Sequence, residues 1–151
     1  MDVYINGQMV DASEARIACD DAGFQHAVGL FETMRAWHGR VFRLVDHLER
    51  LKRSAIELGL VRELATEPLA QAVQQTIDHN QLSDARIRLT LTAGSASLLA
   101  GRPQTQIQPQ PPQPTLLIAP TPPTEYDPRY FEQGITALVA PPCANPFDPT
   151  A

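Results

Sequence analysis

Arg50 and His47 stand three residues apart in "DHLERLKRSAIELGL", Asp46–Leu60. On a helix that spacing, continued by Ser54, makes one stripe at i, i+3 and i+7. An arginine at the edge of a buried stripe is partly desolvated, so its bidentate hydrogen bonds to an anion gain strength. His47 would lie near the helix N-terminus, whose free amides favour negative charge. The pair fits a phosphate grip. Such a pattern more often marks a solvated surface, on which Arg50 would pair with Glu49, Glu57 or Asp46. Of the 12 cationic residues all but Lys52 are arginine, a bias toward fixed planar anion contacts over lysine chemistry. Arg88 stands on the polar side of an alternating segment, placed to face a ligand or only water. Cys19 and Cys143 match no metal or redox spacing, no metal site is expected, and both read as free thiols in a reducing compartment.

The totals narrow the field. A chain of 151 residues with 43% apolar content makes one domain, or one domain and part of another. A formal net charge of -5 argues against nucleic-acid binding through bulk charge. The start, "MDVYINGQMV", has no basic segment followed by an apolar run, and no later stretch is long and apolar enough to span a bilayer. A soluble, cytoplasmic protein without a membrane partner is the expectation.

Several elements must position these residues. "VYINGQMV" is a hairpin around Asn6-Gly7, because both central residues of its turn need positive φ. "FETMRAWHGRVFRL" repeats the device around His38-Gly39. "CDDAGFQHAVGLFET", between them, reads as a loop with one helical turn. The first helix carries Leu48, Leu51, Ala55 and Leu58 as its apolar stripe, with Asp46 and Glu49 as a capping box and Gly59 as its stop. A second helix runs from Thr66 to Asn80 and buries Leu69, Val73 and Ile77. In "ARIRLTLTA", Ile87, Leu89 and Leu91 face one way and Arg86, Arg88, Thr90 and Thr92 the other. The Gln/Pro-rich "GSASLLAGRPQTQIQPQPPQP" reads as an extended loop. "TLLIAP" is a buried strand, "TPPTEYDPRYFEQ" a linker, and "GITALVA" a last strand. The order predicts an α+β fold, a small antiparallel sheet with two helices on one face.

The run "YINGQMV", then "DDAGFQHAVGLFETMRAWHGRVFRLVDHLERLKRSAIELGL", resembles the amino-terminal part of the class IV aminotransferases, the fold-type IV pyridoxal-phosphate enzymes. They include branched-chain aminotransferase, D-amino-acid aminotransferase and aminodeoxychorismate lyase. The shared pattern is an N-G hairpin, D-x-G-F, G-x-F-E-T, G-R-V-F and H-L-x-R-L-x-x-S-A. It is dense from Tyr4 to Leu60 and continues loosely through "ARIRLTLTAG" and "GITALVA". The resemblance implies that Arg50 binds the phosphate of pyridoxal 5'-phosphate, with His47 in support and Glu32 beside it. It implies that Phe31 lines the substrate pocket and that Arg88 faces the substrate carboxylate. By pattern alone, Phe31 fits an ordinary core position as well. One departure is "AVG", Ala27–Gly29, where many members have G-D-G.

The resemblance also implies a Schiff-base lysine. Lys52 is turned about 200° around the helix from Arg50, away from that site. The expected lysine follows the first strand of the large domain, just beyond Ala151. The organisation expected is a small α+β domain at 1–120, a linker at 121–128 and the start of a truncated large domain at 129–151. The function implied is the amino-terminal portion of an aminotransferase acting on an amino acid and a 2-oxo acid, inactive alone and homodimeric in the full-length parent. The alternatives are a lyase that eliminates pyruvate and a non-catalytic ligand- or partner-binding module.

Overall fold

The structure, a computed structural model, describes residues 1–95 and 113–139. Six strands form one sheet: β1 (Asp2–Ile5), β2 (Gln8–Asp11), β3 (Gly29–Trp37), β4 (Arg40–Val41), β5 (Asp84–Thr92) and β6 (Thr115–Thr121). Their order is β2-β1-β6-β5-β3-β4, with every neighbouring pair antiparallel. The helices are α1 (Ala22–His26), α2 (Leu44–Glu57), α3 (Thr66–His79) and α4 (Arg129–Gln133). No helix among the described residues is long and apolar enough to cross a membrane.

Both hairpins form as their turn residues dictate. Asn6 and Gly7 have φ of 47° and 96°, and His38 and Gly39 have 49° and 72°, the positive pair that a two-residue hairpin loop needs. The centre of the sheet is the nine-residue ladder of β3 on β5, from Gly29↔Thr92 to Trp37↔Asp84. Side chains alternate across it. Met34 and Ala36 of β3, Ala85, Ile87, Leu89 and Leu91 of β5 and Ile118 of β6 are buried on one face. Helix α2 packs there with Leu48, Leu51 and Ala55, and α3 with Leu69, Val73 and Ile77. The opposite face carries neither α2 nor α3; the single turn α1 borders it beside Thr92.

Four local expectations are corrected. Helix α2 begins at Leu44, two residues before Asp46, and its N-cap is Arg43 in a left-handed conformation with no side-chain cap. The half-buried Leu44 packs against the core, and the capping box is not made. Asp46 instead accepts from Arg43 Nε at 2.5 Å. Leu58 is 67% exposed, because the helix ends there and the chain turns at Gly59. Leu60 packs against the core in its place, and its amide bonds Ala55 O at 2.9 Å. The stretch read as a linker contains the single turn α4. The strand expected at "GITALVA" is not formed over Gly134–Val139. No strand among the described residues pairs with it, and Ile135, Leu138 and Val139 are exposed. Alternating apolar residues supply the propensity for a strand but not the second backbone that a ladder needs. Most of the Gln/Pro-rich loop and Cys143 lie outside the described residues.

The "AVG" departure has a structural consequence. Ala27 caps the C-terminus of α1 at φ 56°. The left-handed conformation costs a residue with a Cβ about 1–2 kcal/mol, and glycine avoids that cost. Part of the gain is returned through the freer unfolded chain. Ala27→Gly is therefore expected to stabilise the domain by roughly 0.5–1 kcal/mol. The measurement is a shift of the urea midpoint at unchanged slope.

Candidate functional site

Glu32 lies on the helix face of β3, between the core positions Leu30 and Met34, and is only 4% exposed. A carboxylate buried there needs partners, and α2 supplies them. Arg50 Nε donates to Glu32 Oε1 at 2.7 Å, and Arg50 Nη2 donates to Oε2. His47 Nδ1 lies 2.7 Å from the same Oε2 and 3.4 Å from Arg50 Nη2. Burial pushes the Glu32 carboxyl up, but the hydrogen bonds from Arg50 and His47 and the charge of Arg50 outweigh it and hold the group below its ordinary value. The bond to Glu32 in turn raises the Arg50 guanidinium. The partner of Arg50 is thus none of the same-helix acids Asp46, Glu49 and Glu57.

Glu32 occupies the Nε–Nη2 edge of Arg50. The Nη1 group has no partner among the described residues, and the side chain is 59% exposed. One edge of the guanidinium is fixed, and the other remains free for an anion. Lys52 forms its ion pair with Glu49 at 3.8 Å on the same helix and joins no part of this cluster.

Phe31 and Arg88 come together, but on the other face of the sheet. Neighbouring residues on a strand point to opposite sides, so Phe31 faces away from the helices while Glu32 faces them. The guanidinium carbon of Arg88 sits 3.8 Å from the centre of the Phe31 ring, a cation–π contact. That contact leaves the N–H edges of Arg88 open. Phe31 is 57% exposed and is not core. It borders a cavity of about 690 Å³ shared with Ile17, Phe24, Thr90 and Thr92. The two clusters meet at an edge of the sheet. Strand β4 pairs only with Ala36 and Trp37, so among the described residues the outer edge of β3 from Gly29 to Met34 carries no strand.

Sequence reasoning missed Asp21, the acid of the D-x-G-F segment. It is buried, and its Oδ1 caps α1 by accepting from Gly23 N at 2.7 Å. Its Oδ2 accepts from the hydroxyls of Thr92 at 2.9 Å and Thr115 at 2.6 Å. Thr92 Oγ1 in turn accepts from Gly94 N at 3.1 Å. This latch ties the wall of the cavity to the ends of β5 and β6. It also explains the glycine of the segment. A Cβ on Gly23 would lie 2.3 Å from Thr92 Cγ2. Burial pushes Asp21 up, and the hydrogen bonds from Thr115, Thr92 and the backbone outweigh that and hold it below the ordinary value.

These observations define an antiparallel α+β domain with a carboxylate-locked arginine on its helix face and an aromatic-lined cavity on the other. A profile of the family described as amino-transferase class IV matches residues 29–148, and the chain belongs to that family. It is 32% identical over 138 residues to a D-alanine aminotransferase of Staphylococcus epidermidis, covering 90% of this chain and 46% of that protein. Among solved structures, a branched-chain aminotransferase of Thermoproteus uzoniensis shares 33% identity at a TM-score of 0.64, over 81% of this chain and 40% of that one. The 4-amino-4-deoxychorismate lyase of Pseudomonas aeruginosa has the same fold, with a TM-score of 0.66 at 24% identity, over 88% of this chain and 44% of that one. The chain spans 46% of the D-alanine aminotransferase and 38% of a second one, from Staphylococcus aureus.

Two outcomes are expected. Glu32 and Asp21 both have depressed folded-state values, so their contribution is fully present above the ordinary carboxylate range of about 4 and is lost as pH falls through the lower folded values. Thermal unfolding followed from pH 7 to pH 2 is expected to show a steep acid limb that becomes shallower in Glu32→Gln. Gly23→Ala drives a methyl into Thr92 and is expected to cost about 1–3 kcal/mol by overpacking, read from urea unfolding.

Proposed function

We infer that the chain is the amino-terminal portion of a pyridoxal-phosphate-dependent aminotransferase that moves an amino group between an amino acid and a 2-oxo acid. The observation that carries this reading is the free edge of Arg50, held in place by a buried carboxylate at the open edge of β3. Arg50 would hold the cofactor phosphate, with Glu32 fixing the guanidinium and His47 supporting Glu32. Their donor set fits a phosphate, since a pre-positioned, unpaired guanidinium edge matches its oxygens. When bound, the cofactor supplies the electron sink for amino transfer. On the opposite face, Arg88 would receive a substrate carboxylate and Phe31 would bound the pocket.

In the same reading, residues from 121 onward lead into a large domain and the whole protein is a homodimer. Lys52 is the only lysine of the sequence, and it sits on α2 paired with Glu49. We infer that this chain binds the cofactor without holding it covalently and does not transaminate alone.

Equilibrium dialysis of the chain against pyridoxal 5'-phosphate and against pyridoxal tests both parts. One charge-assisted hydrogen bond contributes about 1.5–3 kcal/mol. The phosphorylated form is therefore expected to bind at least about tenfold more tightly, and Arg50→Gln to abolish that preference. Lys52→Arg is expected to change neither value. Equal binding of the two forms, or an adduct that survives dialysis and depends on Lys52, would overturn the reading.

A further inference from the structure

Charge does not balance at the Arg50 grip once a dianion arrives. Arg50 and Glu32 cancel one another, since the buried carboxyl stays ionised. A dianion on the free edge of Arg50 then leaves the cluster two charges negative beside a desolvated carboxylate, which is costly where water is excluded. His47 is the group in contact that can change its charge in the neutral range. Its Nδ1 is 2.7 Å from Glu32 Oε2, and its side chain is 22% exposed.

No other charged group competes for it. From β3 it faces Glu32, and from its own helix it faces Arg50. Among the described residues, α3, which packs against α2, places no charged side chain within hydrogen-bond or ion-pair distance of His47. The neighbouring acids of α2 are engaged elsewhere, Asp46 with Arg43 and Glu49 with Lys52.

We propose that His47 takes up a proton when a phosphate-like dianion binds at Arg50, so that an imidazolium balances the charge that Glu32 cancels on the arginine. An ionised carboxylate accepts only, so neutral His47 carries its proton on Nδ1 and donates it to Glu32. The incoming proton comes from solvent and joins the lone pair of Nε2. The Nδ1–H to Oε2 bond stays in place, and no heavy atom moves. This inference rests on Arg50 as the phosphate anchor and adds the group that sets its response to pH.

Sulfate is the probe, because it keeps its two charges across the pH range and cannot itself take up the proton. Titration calorimetry of the chain in two buffers of different ionisation heat gives the protons bound per sulfate. The expected result is net proton uptake of up to one per sulfate, diminishing as the pH is lowered. The affinity should weaken with rising pH by up to about tenfold per unit. His47→Gln, whose amide can still donate to Glu32, is expected to bind sulfate with no proton uptake and a flat pH profile. As a readout on the unaltered chain, adding sulfate at fixed pH is expected to move the His47 ring ¹H signals toward the imidazolium position.

Each other outcome has a distinct meaning. Sulfate binding that depends on Arg50 but takes up no proton overturns the role of His47 and leaves the phosphate anchor standing. Proton uptake that survives in His47→Gln overturns the role in the same way. Sulfate binding that is absent, or unchanged in Arg50→Gln, overturns the anchor and this inference together.

Discussion

The structure turns on a carboxylate that should not be comfortable where it is. Glu32 sits in the middle of β3 with its side chain under α2, in a row otherwise filled by Met34 and Ala36. Leaving it uncompensated there would cost several kcal/mol. Its two oxygens take three contacts, all from one stripe of α2. The buried charge therefore constrains how the helix lies on the sheet. A rotation or a one-residue slide of α2 would carry Arg50 and His47 away together and strand the carboxylate. Apolar packing by Leu48 and Leu51 could tolerate small shifts, whereas these three contacts cannot. The constraint that fixes the fold is also the one that aims Arg50.

A second buried carboxylate repeats the logic at the end of the sheet. Asp21 joins a segment of one helical turn, too short to be stable alone, to threonines 71 and 94 residues away. Apolar burial alone does not hold it, because α1 buries only Ala22; backbone bonds such as Ala22 N to Gly94 O at 2.7 Å add to the latch. Without the latch the cavity beside Phe31 would lose a wall. Both acids are satisfied by donors from distant elements, and both tie the open end of β3 to the rest of the domain.

Much of this was legible in the residues. The hairpins followed from Asn-Gly and His-Gly, the alternation of β5 from Ile87, Leu89 and Leu91, and the buried stripe of α2 from Leu48, Leu51 and Ala55. The Arg50, His47 and Ser54 stripe was legible too. Its partner Glu32 came only through the family resemblance, because helix periodicity relates residues three or four apart and Glu32 is 18 residues upstream. The start of α2 was misread because Asp46 has the right chemistry for a cap, while Leu44 had a stronger reason to enter the helix. The role of Asp21 was hidden for the same reason as that of Glu32: a short acid before glycine announces a turn, and only the fold shows which hydroxyls surround it. The apolar alternation in "GITALVA" was read correctly as a pattern, but a strand exists only with a neighbour.

The dipeptide Phe31-Glu32 shows how little sequence is needed to build two different surfaces. Adjacent residues on a strand point to opposite sides of the sheet. One position therefore contributes an aromatic ring to the open face, and the next a carboxylate to the helix face. Arg88 on β5 stacks on the first, and Arg50 on α2 locks to the second. Strand β4 covers only the far end of β3. Among the described residues the edge from Gly29 to Met34 is bare, with the Glu32–Arg50 pair on one face and the cavity beside Phe31 on the other. An extended strand with no partner invites unwanted pairing, so this edge is a liability for the domain.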